Sequence, residues 1–241
     1  MTKFYEKKPL AFSLIWVGVY VVALSLADSA SAALGTEKLV TVPVAWALCG
    51  LLLGWGTKNG FGKAMGLCKG DFSGKAYLWF LPMLVLLSTN FWGGVQLRLS
   101  VVETALYMLS MVAVGILEEL IFRGLLLRVL CKDSLKWGVI VSSLTFGIGH
   151  IVNLLNGAPV ADTLLQILYA TAIGFLFTVI FLRSGSLVPC IVVHCLVNSF
   201  SAIGGPRSAG VDLAAALVLT AVGFGYGLWI WKTTKENRMI L

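Results

Sequence analysis

Two histidines occur in the chain, His150 and His194, and each sits inside a long run that carries no charge. A third apolar run holds Glu118, Glu119 and Arg123. Placing a carboxylate or an arginine at mid-membrane costs about 2.5–3.5 kcal/mol on insertion scales, so such groups turn toward a bundle interior and act there. Spacing divides the work among them. Glu119 precedes Arg123 by four residues, the favourable order for an ion pair on one helix face. Glu118 is rotated about 100° from Glu119 and has no cation on its own helix. A desolvated carboxylate without a full partner suits a general base, which gives and takes protons. Asn198 follows His194 by four residues, and an imidazole with a carboxamide one turn away can donate hydrogen bonds to a developing oxyanion. Phe146 shares a helix face with His150 at the same spacing.

Each of these groups also has a plain structural use. Glu119 and Arg123 serve as an ordinary intrahelical pair, a lone histidine or Asn198 as a hydrogen bond between helices, and Phe146 first of all as a packing residue. Those uses leave the convergence unexplained. Counted from the nearest basic flank at about 1.5 Å per residue, Glu119 lies roughly 14 Å deep, His194 roughly 17 Å and His150 roughly 21 Å. Helices tilted by about 20° bring such depths to one level.

The elements that must hold these groups are membrane spans. The chain is 59% hydrophobic and 12% charged over 241 residues, against about 25% charged for soluble domains. That composition excludes a soluble globular domain and a disordered chain. Crossing the hydrocarbon takes about 20 apolar residues. Charge-free runs of that order occur at Leu10–Ala27, Leu39–Thr57, Ala76–Leu97, Trp137–Ala161, Thr163–Leu182, Ser184–Pro206 and Leu213–Trp231. An eighth, Thr104–Leu127, reaches spanning length only with its three charges included. The expectation is an all-α integral membrane protein, about eight transmembrane helices in a bundle around a polar intramembrane cavity. Residues 1–241 form one polytopic domain, and residues 104–201 carry the candidate site.

The basic residues test that count. With eight spans and an inside N-terminus, 14 of the 18 Lys and Arg residues fall on inner segments. Lys38, Arg98 and Arg207 fall outside, and Arg123 lies within a span. This is the positive-inside pattern, so both termini are expected in the cytoplasm and the chain in the plasma membrane. The net charge of +7 is spread between apolar runs and forms no nucleic-acid patch. The Lys-rich flank, apolar run and small residues Ser29–Ala33 are similar to a cleavable signal peptide, but the run exceeds a signal core and is expected to stay as a first span. The Gly- and Lys-rich connection Thr57–Lys75 is expected on the inner face, with room for a short interfacial helix. Five cysteines without a Cys-x-x-Cys pair read as apolar packers, not as a disulfide or zinc framework.

The three polar segments resemble the motifs of the CAAX protease and bacteriocin-processing family of intramembrane proteases. Glu118-Glu119-Leu120-Ile121-Phe122-Arg123 is similar to its Glu-Glu-x-x-x-Arg, Phe146-Gly147-Ile148-Gly149-His150 to its Phe-x-x-x-His, and His194-Cys195-Leu196-Val197-Asn198 to its His-x-x-x-Asn. The order matches, and no motif position departs. The resemblance implies a helical bundle with a cavity open toward the cytoplasm and endoproteolysis of membrane-associated or lipidated peptides. Eukaryotic members remove the last three residues after a prenylated cysteine. Carried over residue by residue, Glu118 with His150 activates water, His194 and Asn198 hold the oxyanion, and Glu119, Arg123 and Phe146 support them.

Two chemistries fit these residues. In one, Glu118, His150 and His194 ligate a divalent metal such as zinc, which acidifies its water. In the other, Glu118 and His150 polarise water directly and no cofactor is required. The second gives every group a role suited to its surroundings. Serine and aspartyl routes lack their parts: there is no Gly-x-Ser-x-Gly elbow and no pair of intramembrane aspartates. Cys195 adjoins His194, but helix neighbours point about 100° apart, which argues against a thiol–imidazole dyad. The partners expected are a membrane-associated peptide or protein substrate and the bilayer. Two other classes compete: a non-catalytic immunity or partner-binding membrane protein, and a proton-coupled transporter, whose internal repeats are not seen.

Overall fold

A computed structural model describes residues 1–70 and 80–234. Its elements are helices α1 (Thr2–Lys7), α2 (Pro9–Ala33), α3 (Thr41–Lys58) and α4 (Met83–Ser88), then α5 (Val101–Leu130). After it come α6 (Leu135–Gly149), one further turn at Val152–Leu155, α7 (Val160–Ser184) and α8 (Val188–Phe200). Helix α9 (Ala209–Thr233) ends the described chain. Among the described residues the one β-type contact is an isolated bridge between Val95 and Gly204.

Local chemistry sets several boundaries. Ser100 caps α5 and exchanges hydrogen bonds with Glu103 three residues on, which satisfies two of the free amides at that end. Gly185 closes α7 in the left-handed region at φ 73°, where an L side chain would be strained.

All eight apolar runs contain a helix, but among the described residues five helices are long and apolar enough to cross a membrane. These are α2, α5, α7, α9 and α6 continued to Leu155. Helix α3 has 18 residues. The seventh run shortens to α8, with 13 residues, or roughly 20 Å. The third run begins outside the described residues and then holds only α4 and a 3-10 turn, Thr89–Phe91. One arrangement accounts for where both runs leave the helix. Past Phe200 and past Phe91 the two chains lie against each other: Gln96 N–H donates to Ile203 O and Gly205 N–H to Gly94 O, both at 2.9 Å. Backbone that would have continued each helix is satisfied by the other segment. A side chain at Gly205 would place Cβ 2.3 Å from the Gly93 carbonyl, so the meeting requires glycine.

Helix α7 packs along α6 and α9, α5 lies between α3 and α8, and α2 crosses the later part of α5. Close crossings use small residues. A Cβ on Gly147 of α6 would fall 1.9 Å from Thr171 Oγ1 of α7, and one on Gly115 of α5 would fall 3.0 Å from the Cys195 amide of α8.

The contacts also sort the connections into two groups. Thr2 bonds Asn59, Tyr5 packs on Phe61, the Ser186 hydroxyl donates to Cys68 O, and Arg183 holds Trp231. Tyr5, Glu6, Phe61, Arg128 and Lys132 line one cavity of about 300 Å³. These are the segments expected inside. At the opposite end Lys38 pairs with Asp28, Arg98 donates to Ser201 O and Arg207 pairs with Asp212 and donates to Thr89 O. These are the segments expected outside. The expected interfacial helix does not form between 59 and 70, which makes turns and buries Met65. Residues 71–75 of that connection lie outside the described residues.

Candidate functional site

Within α5 the stretch Leu120–Leu127 is wound as a π-helix, directly after Glu118 and Glu119. Such wide turns recur at functional sites and free backbone groups for other partners. Here the Ser142 hydroxyl of α6 donates to the Phe122 carbonyl at 3.2 Å.

Arg123 projects from this stretch and is fully buried, as is Glu119. Its Nη1 donates to Glu119 Oε1 at 2.9 Å, and Nη2 donates to the Gly174 carbonyl of α7 at 3.2 Å. The guanidinium lies 4.1 Å from the Phe146 ring centroid. Gly174 makes this possible, since a Cβ there would come 3.2 Å from Nη2 and 3.0 Å from Phe146 Cδ1. A buried ion pair stands only with such additional partners, because desolvation otherwise outweighs the attraction.

His194 links the two glutamates. Its Nδ1 lies 2.9 Å from Glu119 Oε1, and its Nε2 lies 3.3 Å from Glu118 Oε2. Glu118 Oε1 in turn accepts the Tyr20 hydroxyl at 2.5 Å. The result is a polar chain across three helices: Arg123, Glu119, His194, Glu118, Tyr20. Glu118 and His194 are 9% and 8% exposed. They are enclosed without being sealed, whereas Glu119 and Arg123 behind them are sealed.

His150 follows the last residue of α6 and is half-buried. Its Nδ1 lies 3.1 Å from the Phe146 carbonyl. Phe146 meets His150 edge-on at 5.5 Å between centroids and His194 at 5.8 Å, so both imidazoles and Arg123 border one ring. The expected shared depth of the two histidines is therefore seen. The expected pairing is not. Glu118 faces His194, and the contacts of His150 are with the carbonyl and the ring of Phe146. Asn198 is half-buried one turn beyond His194 and is outside the polar chain; its carbonyl accepts the Ser201 hydroxyl. The Cys195 thiol donates to Val112 O of α5.

The metal alternative requires Glu118, His150 and His194 to converge. Among the described residues no three His, Cys, Asp or Glu side chains are grouped to hold an ion. As these side chains stand, the donor set is not gathered into a three-ligand centre. Two buried atoms in the polar chain, Glu119 Oε2 and Arg123 Nε, have no hydrogen-bond partner among the described residues.

Tyr20 is the residue that sequence spacing missed. It lies near the middle of the first apolar run, whereas tyrosines of membrane helices concentrate at the two interfaces. That misplaced hydroxyl was the available signal.

The fold and site thus define a class: a helical membrane protein whose buried carboxylates and imidazoles meet between spans. Comparison with known families narrows it. Residues 100–200 match the family model described as Type II CAAX prenyl endopeptidase Rce1-like, and the chain carries a domain of that family over this segment. The match begins at the cap of α5, ends with α8, and contains all three motifs. No curated protein matches the chain, and no solved structure does.

Proposed function

We propose that the protein is an intramembrane endopeptidase that hydrolyses peptide bonds of membrane-associated or lipidated peptides with Glu118 as general base. The single observation carrying this reading is the position of Glu118: a slightly accessible carboxylate, against His194, within a polar chain anchored by Arg123. Glu119 accepts from Arg123 and from the imidazole on one oxygen, which fixes the His194 ring and leaves Nε2 toward Glu118. In this reading a water at Glu118 loses a proton to the carboxylate, the hydroxide attacks the peptide carbonyl, and the proton passes to the leaving nitrogen. His150 and Asn198, both half-buried, supply hydrogen bonds to the oxyanion.

The test replaces Glu118 by Gln, which keeps size and hydrogen bonding and removes the base. Comparative proteomics of membrane-peptide termini, in cells with the native chain and with Glu118→Gln, should show ends that only the native chain produces. Identical termini would end the proposal.

A further inference from the structure

We propose that Tyr20 is a positioning residue for Glu118: its phenol occupies Oε1 and leaves Oε2 as the oxygen that takes the proton from the attacking water. This rests on the reading of Glu118 as the base. It extends the site beyond residues 100–200, since Tyr20 comes from α2.

The argument begins with the freedom of a glutamate. Its terminal torsion is broad and roughly two-fold, so an unrestrained carboxylate presents either oxygen. Here the two oxygens are distinguished. Oε1 accepts the Tyr20 hydroxyl, while Oε2 lies 3.3 Å from His194 Nε2. A phenol on a short rigid stem places its hydroxyl as accurately as its helix is placed, and α2 is clamped on both sides of Tyr20. Toward the N-terminus, Phe12 stacks within an aromatic cluster with Tyr5 and Trp55. Toward the C-terminus, Asp28 holds Lys38 and accepts from Thr41. The tyrosine hydroxyl is thus fixed relative to α3, which itself packs on α5, by contacts that do not involve the site.

The proton balance agrees. One water O–H bond breaks and the proton bonds to Oε2. The hydroxide forms the new C–O bond, and the carbonyl electron pair becomes the oxyanion. On collapse, the Oε2 proton moves to nitrogen as the C–N bond breaks. Oε1 is an acceptor throughout, in the carboxylate and in the acid, so Tyr20 keeps both its proton and its hydrogen bond at every stage.

The experiment measures turnover of the membrane peptide whose ends distinguish native from Glu118→Gln cells, using full-length protein in liposomes. Tyr20→Phe removes one oxygen and keeps the ring. The expected result is a fall in kcat of about 10- to 100-fold with KM within about twofold and an unchanged melting temperature. Native kcat in a folded Tyr20→Phe protein overturns the proposal while leaving the base intact. Where Tyr20→Phe fails to fold, fluorinated tyrosine at position 20 replaces it. A kcat that changes as the phenol becomes a stronger donor supports the positioning role, and an invariant kcat overturns it. If Glu118→Gln itself changes no termini, both readings fall together.

Discussion

Nδ1 of His194 and Nη1 of Arg123 approach the same oxygen, Oε1 of Glu119, each at 2.9 Å. Sequence spacing assigned Glu119 to Arg123 alone. The shared oxygen makes the glutamate a hinge between a sealed ion pair and the accessible imidazole, so a change at Arg123 is transmitted to His194.

That relationship predicts an asymmetric pair of variants. Arg123→Met leaves Glu119 as an uncompensated buried charge and should destabilise by about 3–5 kcal/mol, the usual cost of breaking a buried pair from one side. Replacing both residues together, Glu119→Gln with Arg123→Met, should recover part of that loss without restoring activity, because His194 then lacks its anionic partner. Thermal unfolding in detergent reads the first effect and peptide turnover the second. A double variant no more stable than Arg123→Met would show that the uncompensated Glu119 charge is not the source of the loss.

The two histidines should separate in the same assays. His194 is buried between two carboxylates, so His194→Ala removes the spacer and should lose both stability and activity. His150 is half-buried at a helix end, so His150→Ala should melt near the native temperature while turnover falls by about 10²- to 10⁴-fold, the scale of a lost acid–base or oxyanion group. Full turnover in His150→Ala would remove that residue from the site.

Much of this site was legible in the residues, and for definable reasons. The Glu119–Arg123 pair followed from helical spacing, and the common depth of His150 and His194 followed from rise per residue, because both are properties of single helices. Which imidazole faces Glu118 is a property of how α5, α6 and α8 cross, and the spacing holds no record of it. Tyr20 was invisible for the same reason: its partner is 98 residues away. In the fold, a helix lies in each of the eight apolar runs, yet the seventh is shorter than its run and the third leaves the helix after Phe91. Apolar composition continues through Gly93–Gly94 and Gly204–Gly205, and only tertiary pairing shows that the helices stop before them.

The grouping of connections predicts a labelling pattern. On a cysteine-free background that retains activity, single cysteines at Lys132 and Lys63 should react with a membrane-impermeant maleimide only after the cytoplasmic side is exposed. Cysteines at Lys38 and Arg207 should react in intact cells. The structure puts each pair at one end of the bundle, and the basic bias says which end is inside. Reaction of Lys132 and Lys38 positions from the same side would contradict the arrangement itself, whereas a clean inversion would contradict only the orientation.

The N-terminal span supplies a last prediction. Cleavage within the small-residue run Ser29–Ala33 would remove Tyr20 and Asp28, and with them the hydroxyl on Glu118 and the Lys38 clamp. Losing α2 would also uncover buried faces of α3 and of the π stretch in α5, both of which it packs against. A retained span would keep these contacts and a cleaved signal peptide would lose them. Mass spectrometry of the purified membrane protein should therefore find α2 present, with any N-terminal tag attached. A chain started at Leu34 should melt well below the native protein and leave the membrane-peptide termini as Glu118→Gln does. If the mature protein instead begins near Leu34 and still hydrolyses its peptide, Glu118 works without the tyrosine, and the site is complete within the later helices.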